Sequence, residues 1–489
     1  MTEQRLSDTL DNEQVKHAKD NQLPNWLKYL KDTPIVDYTK LAKLIIDRGN
    51  LFYNENNPNG AYYNGVFWKR YPNSRGLPIK LQALVTKELV KYNISSTIRR
   101  KNAVSEIQSL LAVRFADLYD PFEVTEKTKW LVPFKNGTVN MKDLSFKPND
   151  PNDMLMSGIT NYDYPEDDKE TPIFNDYTQY IFGDASHAVL EAIGYSMYRS
   201  YDMLGQPIYY IVSSGGNDKS WFANKLLIPL LGGTDNIATL SLSQIASKNR
   251  GNKFALAPLQ DKLINVYMDN TTEEFIDIST LKSITGDDIQ DAENKGQISF
   301  QLRSYATQWL ASNDFPNVPI GNSTVRRFHF LPWSVTKVID ADEVLAMERR
   351  FPLDQLQKEF PYIAKHAIKA FHDAVQRGTL TKTKSMEHLT NEFIRTNDLF
   401  GSFLEEHTTF TSDPYAMITL KNFYSSYVKY MGDIDEEPQL EKVIKKRLQK
   451  EGYELKRARR AMGISDRSDE DSLGRYKDVI QGLTWAEND

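Results

Sequence analysis

The chain contains no cysteine. That excludes disulfides and Cys-based zinc sites. Histidine is scarce: seven residues, scattered, with no H-x-x-x-H pair, which argues against a dedicated transition-metal site. No run of roughly 18 or more apolar residues is present, so no membrane-spanning helix is expected. The N-terminal stretch MTEQRLSDTLDNEQVKHAKDNQ is polar and mixed in charge, without the apolar core of a secretory signal. Together with the missing cysteines, this predicts an intracellular protein with no membrane partner. Nor is there an excess of positive charge. The net charge of −6 excludes a wholly basic coat for nucleic acid but leaves room for local basic patches. Internal repeats and long low-complexity tracts are absent too. What remains is an ordinary soluble composition, 40% hydrophobic and 26% charged, over 489 residues. That length suits roughly two to four domains.

Four segments are expected. Residues 1–60 are polar with one helical pattern, YTKLAKLIIDRG. Residues 61–185 form an α+β region. There, GAYYNGVFWKRY reads as a hairpin around an Asn-Gly turn, and TKWLVPFKNGTVNMKDLSFKPNDP repeats the pattern around Asn136-Gly137. Over residues 186–380, helical patterns beginning with HAVLEAIGYSMYRSY give way to short apolar runs separated by helical patterns. PIYYIVSS, IATLSL, KLINVYMDN, YATQWLASND and RRFHFLPW predict a buried, mostly parallel five-stranded sheet of the α/β class. Between them, QDAENKGQISFQLRS reads as an exposed hairpin with Lys295-Gly296 at its tip. Residues 388–489 show three helical patterns followed by two strand-like ones, the pattern of a winged helix.

The chemistry centres on SSGGNDKSWF, Ser213 to Phe222. A strand leads into it and a helix leaves it, which is the setting of a phosphate-binding loop. Lys219 and Ser220 sit where a loop lysine would hold the β- and γ-phosphates and a hydroxyl would hold Mg²⁺. Gly215, Gly216, Asn217 and Asp218 complete the candidate ATP-binding segment. Two positions depart from G-x-x-x-x-G-K-[ST]: Ser213 replaces the first glycine and Asp218 the second. A carboxylate at 218 brings negative charge toward a polyanion, unless it turns outward. Aspartate nevertheless tolerates left-handed backbone better than most residues. Three further features follow at strand ends. Asp269 closes a run about fifty residues on, where a P-loop ATPase places its Mg²⁺-binding acid. Asn313 closes the next and suits the orientation of an attacking water. Arg326 and Arg327 precede the last strand and suit an arginine finger into a neighbouring subunit.

In these stretches residues 61–489 resemble the helicase part of the phage, plasmid and mobile-element primase-helicases. These are superfamily 3 AAA+ helicases, related to the poxvirus and papillomavirus replicative enzymes. LVPFKNGTVNM, FALAPLQDKLINVYMDN, LKSITGDDIQDAENK, ASNDFP and VRRFHFLPW carry the resemblance, with TGDD…AENK the most specific. The resemblance implies a ring, a homo-hexamer, using ATP and Mg²⁺. Lys219 and Ser220 would form the ATP loop and Asp269 the metal acid. Asn313 would be the sensor and Lys295 the contact to single-stranded DNA in the channel. Arg327 is the first candidate finger and Arg326 the second. Asn270 departs from the family, standing where many ATPases carry a second acid; Glu273 and Glu274 are candidate substitutes. The residues ahead of the match are too few for the primase domain of typical relatives, so a separate primase is an expected partner.

Residues Lys442 to Arg460 hold nine Lys/Arg and two acids, a concentrated patch in an acidic chain. Leu440, Val443, Ile444 and Leu448 define an apolar helix face flanked by Lys442, Lys445, Lys446, Arg447 and Lys450. Lys456 and Arg457 lie on the following wing. A helix docking on duplex DNA phosphates fits this pattern. Aromatics of the preceding helix, NFYSSYVKY, are spaced for core packing. The expected function is an ATP-dependent, ring-forming replicative helicase or replication initiator. Its rival is a helicase-derived DNA-binding initiator or regulator whose ATP site is inactive, which Ser213, Asp218 and Asn270 favour. A small-molecule P-loop kinase is a third reading, opposed by the basic tail.

Overall fold

A computed structural model describes residues 23–486, apart from 32, 55–56, 118–119, 214–217, 247–252, 272–275, 295–298, 336–340, 414, 435–436 and 460–475. Two units result: Met1–Asp314 with Arg326–Met386, and Phe315–Val325 with Glu387–Asp489. The second therefore borrows a short excursion from the first, and its main boundary lies one residue before the expected 388.

The first unit opens with an antiparallel pair, β1 (Leu27–Leu30) and β2 (Thr33–Val36). The helix Tyr38–Gly49 follows, over the residues the apolar spacing indicated. Asp37 caps it by accepting the Lys40 N–H, and Asn50 ends it in the left-handed conformation. Strands β3 (Leu51–Asn54), β4 (Asn57–Tyr63) and β5 (Trp68–Arg70) make an antiparallel sheet. Its second turn is the expected Asn64-Gly65, with Gly65 at φ 102°. Helices Gly76–Val90 and Thr97–Arg114 close a core of Trp26, Leu41, Ile45, Leu81 and Ile107. The division expected at residue 60 is not a structural boundary. Strand β4 runs through it, and one core takes side chains from both sides.

Strands β6 (Leu131–Phe134), β7 (Gly137–Asn140) and β8 (Phe146–Lys147) form the second small antiparallel sheet. Trp130, Val132 and Phe134 join Tyr195, Trp309 and Phe371 in the largest core, so residue 185 is not a boundary either. Helix Ser186–Tyr195 packs closely on the long helix Leu353–Arg377. A Cβ on Gly194 would meet the Ala367 carbonyl oxygen at 2.1 Å, so only glycine allows this approach.

Five strands form the central sheet: β9 (Ile208–Val212), β10 (Ile237–Ala238), β11 (Ile264–Asn270), β14 (Thr307–Ser312) and β15 (Phe328–Leu331). Their order is β10-β11-β14-β9-β15, and every pair is parallel, as the apolar runs predict. Both β14 and β15 are buried throughout, consistent with a sheet covered on both faces. The expected hairpin is present as β12 (Gln290–Ala292) and β13 (Phe300–Leu302).

In the second unit, helices Leu399–His407, Leu420–Asp433 and Glu441–Lys450 are followed by an antiparallel ribbon of β18 (Glu454–Arg459) and β19 (Tyr476–Gln481). Beyond the expected pattern, β17 (Met417–Thr419) joins β19, and β16 (Thr408–Phe410) pairs with β20 (Leu483–Trp485). Phe423 and Tyr427 fill this core, the role their spacing indicated. The apolar face expected on Glu441–Lys450 is narrower than four residues. Ile444 and Leu448 are buried, but Leu440 is 62% and Val443 42% exposed. Leu440 precedes the helix as its N-cap.

His329 sits in β15, buried beside Tyr209. Burial, with Lys382 adding to it, pushes its pKa down from 6.5 to about 4. The folded protein thus keeps His329 neutral where the unfolded chain protonates it, so stability falls as pH drops below 6.5 and levels off near 4. Thermal midpoints of His329→Gln should show a shallower decline across that window than those of the parent protein.

Candidate functional site: the carboxyl edge of the parallel sheet

Parallel strands deliver all their carboxyl ends to one edge, the usual place for a ligand in an open α/β sheet. Ser213 follows β9, Asp269 is the penultimate residue of β11, and Asn313 follows β14. Because β11, β14 and β9 are consecutive neighbours, these positions share one edge. Lys219 opens the helix that leaves the loop and turns back onto it. Its side chain is 7% exposed, and its Nζ donates to the Ser213 carbonyl and to the Ser312 carbonyl at 3.3 Å. Burial lowers the Lys219 pKa, and the Asp269 carboxylate opposes that shift. The two charges therefore act on each other across the edge. Asp269, Asn313 and Ser220 are exposed.

Gly215, Gly216 and Asn217 lie outside the described residues, as do Glu273 and Glu274. Asp218 is described, and its backbone is left-handed, φ 63° and ψ 15°. It thus adopts the conformation for which glycine is usual at this position. Its carbonyl accepts the N–H groups of Trp221 and Phe222 and starts the helix. Burial raises the Asp218 pKa, and Glu348 raises it further. A raised carboxylate weakens the fold above its folded-state pKa, and that penalty fades as pH falls toward the unfolded value. From Lys219–Trp221 the helix widens into a π turn, Phe222–Leu227, where the Ile228 N–H reaches the Ala223 carbonyl. Pro229, just beyond, has no N–H to continue a regular ladder.

Asn270 has a structural occupation. It is 6% exposed, its Oδ1 accepts the Leu242 N–H at 2.7 Å, and its Nδ2 donates to the Tyr267 and Ala311 carbonyls at 3.1 and 3.0 Å. The amide ties β11 to β14 and to the helix Leu242–Ala246. A carboxylate cannot make the two donations.

Arg326 and Arg327 precede β15 and so lie at the opposite, amino edge. The chain does not bring them to its own Lys219. Arg327, the first candidate finger, is buried. Its Nε donates to Thr285 Oγ1 at 3.1 Å, and its carbonyl accepts the Ile208 N–H. Burial lowers its pKa, and Arg326 adds to the shift. Arg326 is the exposed member of the pair, with Nη2 on Gln206 Oε1 at 3.0 Å. Thr285, from the TGDD stretch, holds Arg327, a role the sequence reading missed. Lys295 lies outside the described residues; at the hairpin base Arg303 pairs with Asp287 at 2.8 Å.

The basic residues of the second unit sort into three groups. Lys442, Lys446 and Lys450 are exposed and four residues apart, and among the described residues none of them has an ion-pair partner. Lys445 pairs with Glu441 at 3.0 Å, Lys456 with Glu454 at 3.0 Å, and Arg457 with Asp478 at 3.5 Å. Arg447 is not an outward contact. It pairs with Asp398 and with Glu451 at 2.9 Å and lies over the Phe400 ring at 4.8 Å. Its position three residues after Ile444 turns it toward the core side of the helix.

Two family profiles match the chain. One, described as D5 N terminal like, covers residues 41–183, and a family of unknown function, DUF5906, covers 211–327. An apo structure of the NrS-1 C-terminal region aligns with 91% of this chain and 98% of its own, at 11% identity and a TM-score of 0.50. Two further apo structures of that region align with TM-scores of 0.46 and 0.44, at 11% and 13% identity; each covers 91% of this chain and 99% of its own. No curated protein matches. Neither profile covers half of the chain, and the alignment at a TM-score of 0.50 bears on the fold. DUF5906 runs from the end of β9 through the Arg326-Arg327 pair, and so takes in Lys219, Asp269 and Asn313. Among the described residues no helix is long and apolar enough to cross a membrane, and no cluster of three His, Asp or Glu is placed to hold a metal.

Replacing Asn270 by Asp removes two buried donations and buries a charge. Urea unfolding at pH 7 should show a loss of about 2–3 kcal/mol.

Proposed function

We propose that this protein is an ATP-dependent, ring-forming DNA helicase serving replication of a phage or other mobile element in the bacterial cytoplasm. The observation that carries the reading is Lys219, its buried ammonium held at the carboxyl edge beside exposed Asp269 and Asn313. Phosphate oxygens of ATP would take over the donations that Ser213 and Ser312 now accept. Ser220 and Asp269 supply hard oxygen donors of the kind Mg²⁺ accepts alongside phosphates and water. When bound, the ion would neutralise charge on the transferring phosphoryl group. Asn313 would orient the attacking water.

Arg326 and Arg327 stand at the amino edge, so only a neighbouring copy can present them to this site, which favours a ring such as a hexamer. Arg326 is the better placed of the two, being exposed. Lys295 would contact single-stranded DNA in the channel. The second unit supports a winged-helix reading through its three helices, its ribbon and the added strand β17. Its stripe of Lys442, Lys446 and Lys450 suits duplex phosphates. A separate primase completes the proposed set of partners.

A second reading, a DNA-binding regulator with a silent ATP site, draws on two observations: the carboxylate of Asp218 and the committed amide of Asn270. ATP hydrolysis by the full chain, with and without single-stranded DNA, separates the two. Strand-stimulated turnover should fall by roughly 100-fold or more in Lys219→Ala. Turnover that appears only in Asp218→Gly selects the second reading; none in either protein rejects the helicase. For the second unit, replacing Lys442, Lys446 and Lys450 by Ala should reduce the slope of log affinity against log salt by about 3 for duplex DNA. Arg447→Ala should instead lower the thermal midpoint.

A further inference from the structure

From Arg75 to Lys101 the chain carries seven Lys/Arg and a single acid, Glu88. In a protein of net charge −6 that is a local surplus of the opposite sign. Folding orders part of it. Leu77, Leu81, Val85 and Leu89 bury one face of helix Gly76–Val90. At 3.6 residues per turn, Lys80, Lys87 and Lys91 fall within about 40° of one another on a neighbouring flank and span about 16 Å along the axis. All three are exposed. Among the described residues Lys80 and Lys87 have no ion-pair partner. Lys91 bonds Glu88 at 2.8 Å, and Arg48, from helix Tyr38–Gly49, reaches the same carboxylate at 3.3 Å. Four bases against one acid leave three positive charges on this surface.

The lysine stripe ends at an exposed ring. Tyr29, in β1, is 44% exposed, and its hydroxyl donates to the Tyr92 carbonyl at 3.2 Å. That bond ties the ring to the residue next to Lys91. Among the described residues no other ring packs on it. Tyr92 is itself anchored edge-on against buried Trp26, with ring centroids 5.5 Å apart. A solvated helix face commonly alternates its charges; this one does not. Cations along a ridge suit successive phosphates, and a flat face at the end of the ridge suits an unpaired base. The bases of a duplex stack on one another and would leave the ring unused.

We propose that helix Gly76–Val90 and Tyr29 form a binding surface for single-stranded nucleic acid, with phosphates on Lys80, Lys87 and Lys91 and a base stacked on Tyr29. The surface uses none of the residues assigned above and needs no ATP. Ile79 and Val90, 64% and 58% exposed, lie about 90° further round the helix and take no part in it.

Fluorescence anisotropy of labelled oligothymidylate and oligouridylate, titrated with the full chain across a salt series and without nucleotide, tests this. Changing Lys80, Lys87 and Lys91 together to Ala should lower the slope of log affinity against log salt by about 2. Tyr29→Leu should weaken binding by about tenfold and leave the slope unchanged, whereas Tyr29→Phe, which keeps the ring, should bind like the parent protein. All these positions are exposed, and parental thermal midpoints would show that each fold is intact. The same losses are expected in a Lys219→Ala background, so the result does not turn on the ATP site. The strand that binds more tightly and shows both losses is the ligand. A parental slope in the lysine variant overturns the proposal and leaves Ile79 and Val90 as marks of a protein-docking face. So does an equal loss in Tyr29→Phe and Tyr29→Leu, which would make Tyr29 a tether through its hydroxyl. A slope that falls for duplex DNA but not for either single strand overturns it as well.

Discussion

All five central strands run in the same direction, and the placement of Lys219, Asp269, Asn313, Arg326 and Arg327 follows from that. Parallel pairing requires crossovers on the faces, which bury both sides of the sheet, and β14 and β15 are buried throughout. It also separates the ends. Lys219, Asp269 and Asn313 go to the carboxyl edge, while Arg326 and Arg327 go to the other. One folding constraint thus divides the polar residues of a single chain into two chemically different surfaces, one built around a lysine and an acid, the other around arginines.

The departures from a standard phosphate-loop ATPase have different physical standing. At Asp218 the backbone keeps the left-handed geometry and the change is confined to the side chain. At Asn270 the side chain itself is part of the framework, joining two strands and a helix through three hydrogen bonds. The first can be reversed by one substitution without disturbing the scaffold. The second cannot, because the acid would remove the donors that hold the strand ends in register.

Local pattern made much of this legible. The apolar runs located all five strands, the Asn-Gly pair located a hairpin turn, and the positions of Lys219, Asp269 and Asn313 at strand ends followed from where those runs stop. What local pattern cannot show is which distant segments share a core. Residues on both sides of 60, and on both sides of 185, pack together through contacts of long sequence separation. The orientation of arginines was illegible for a related reason. Arg447 lies in a run of bases, and only its contacts with Asp398 and Phe400 distinguish it from the outward lysines. Arg327 abuts the last strand, and that same adjacency buries it against Thr285.

The Lys219 ammonium is already a satisfied donor. By holding carbonyls from the ends of β9 and β14 it serves as a tie between adjacent strands. An anion entering the edge does not meet a vacant cation; it competes with the main chain for an occupied one. Its apparent affinity is a difference between two bonded states, smaller than the strength of either. The same exchange leaves two strand-end carbonyls in want of a donor, so occupancy of the edge is registered in the sheet itself.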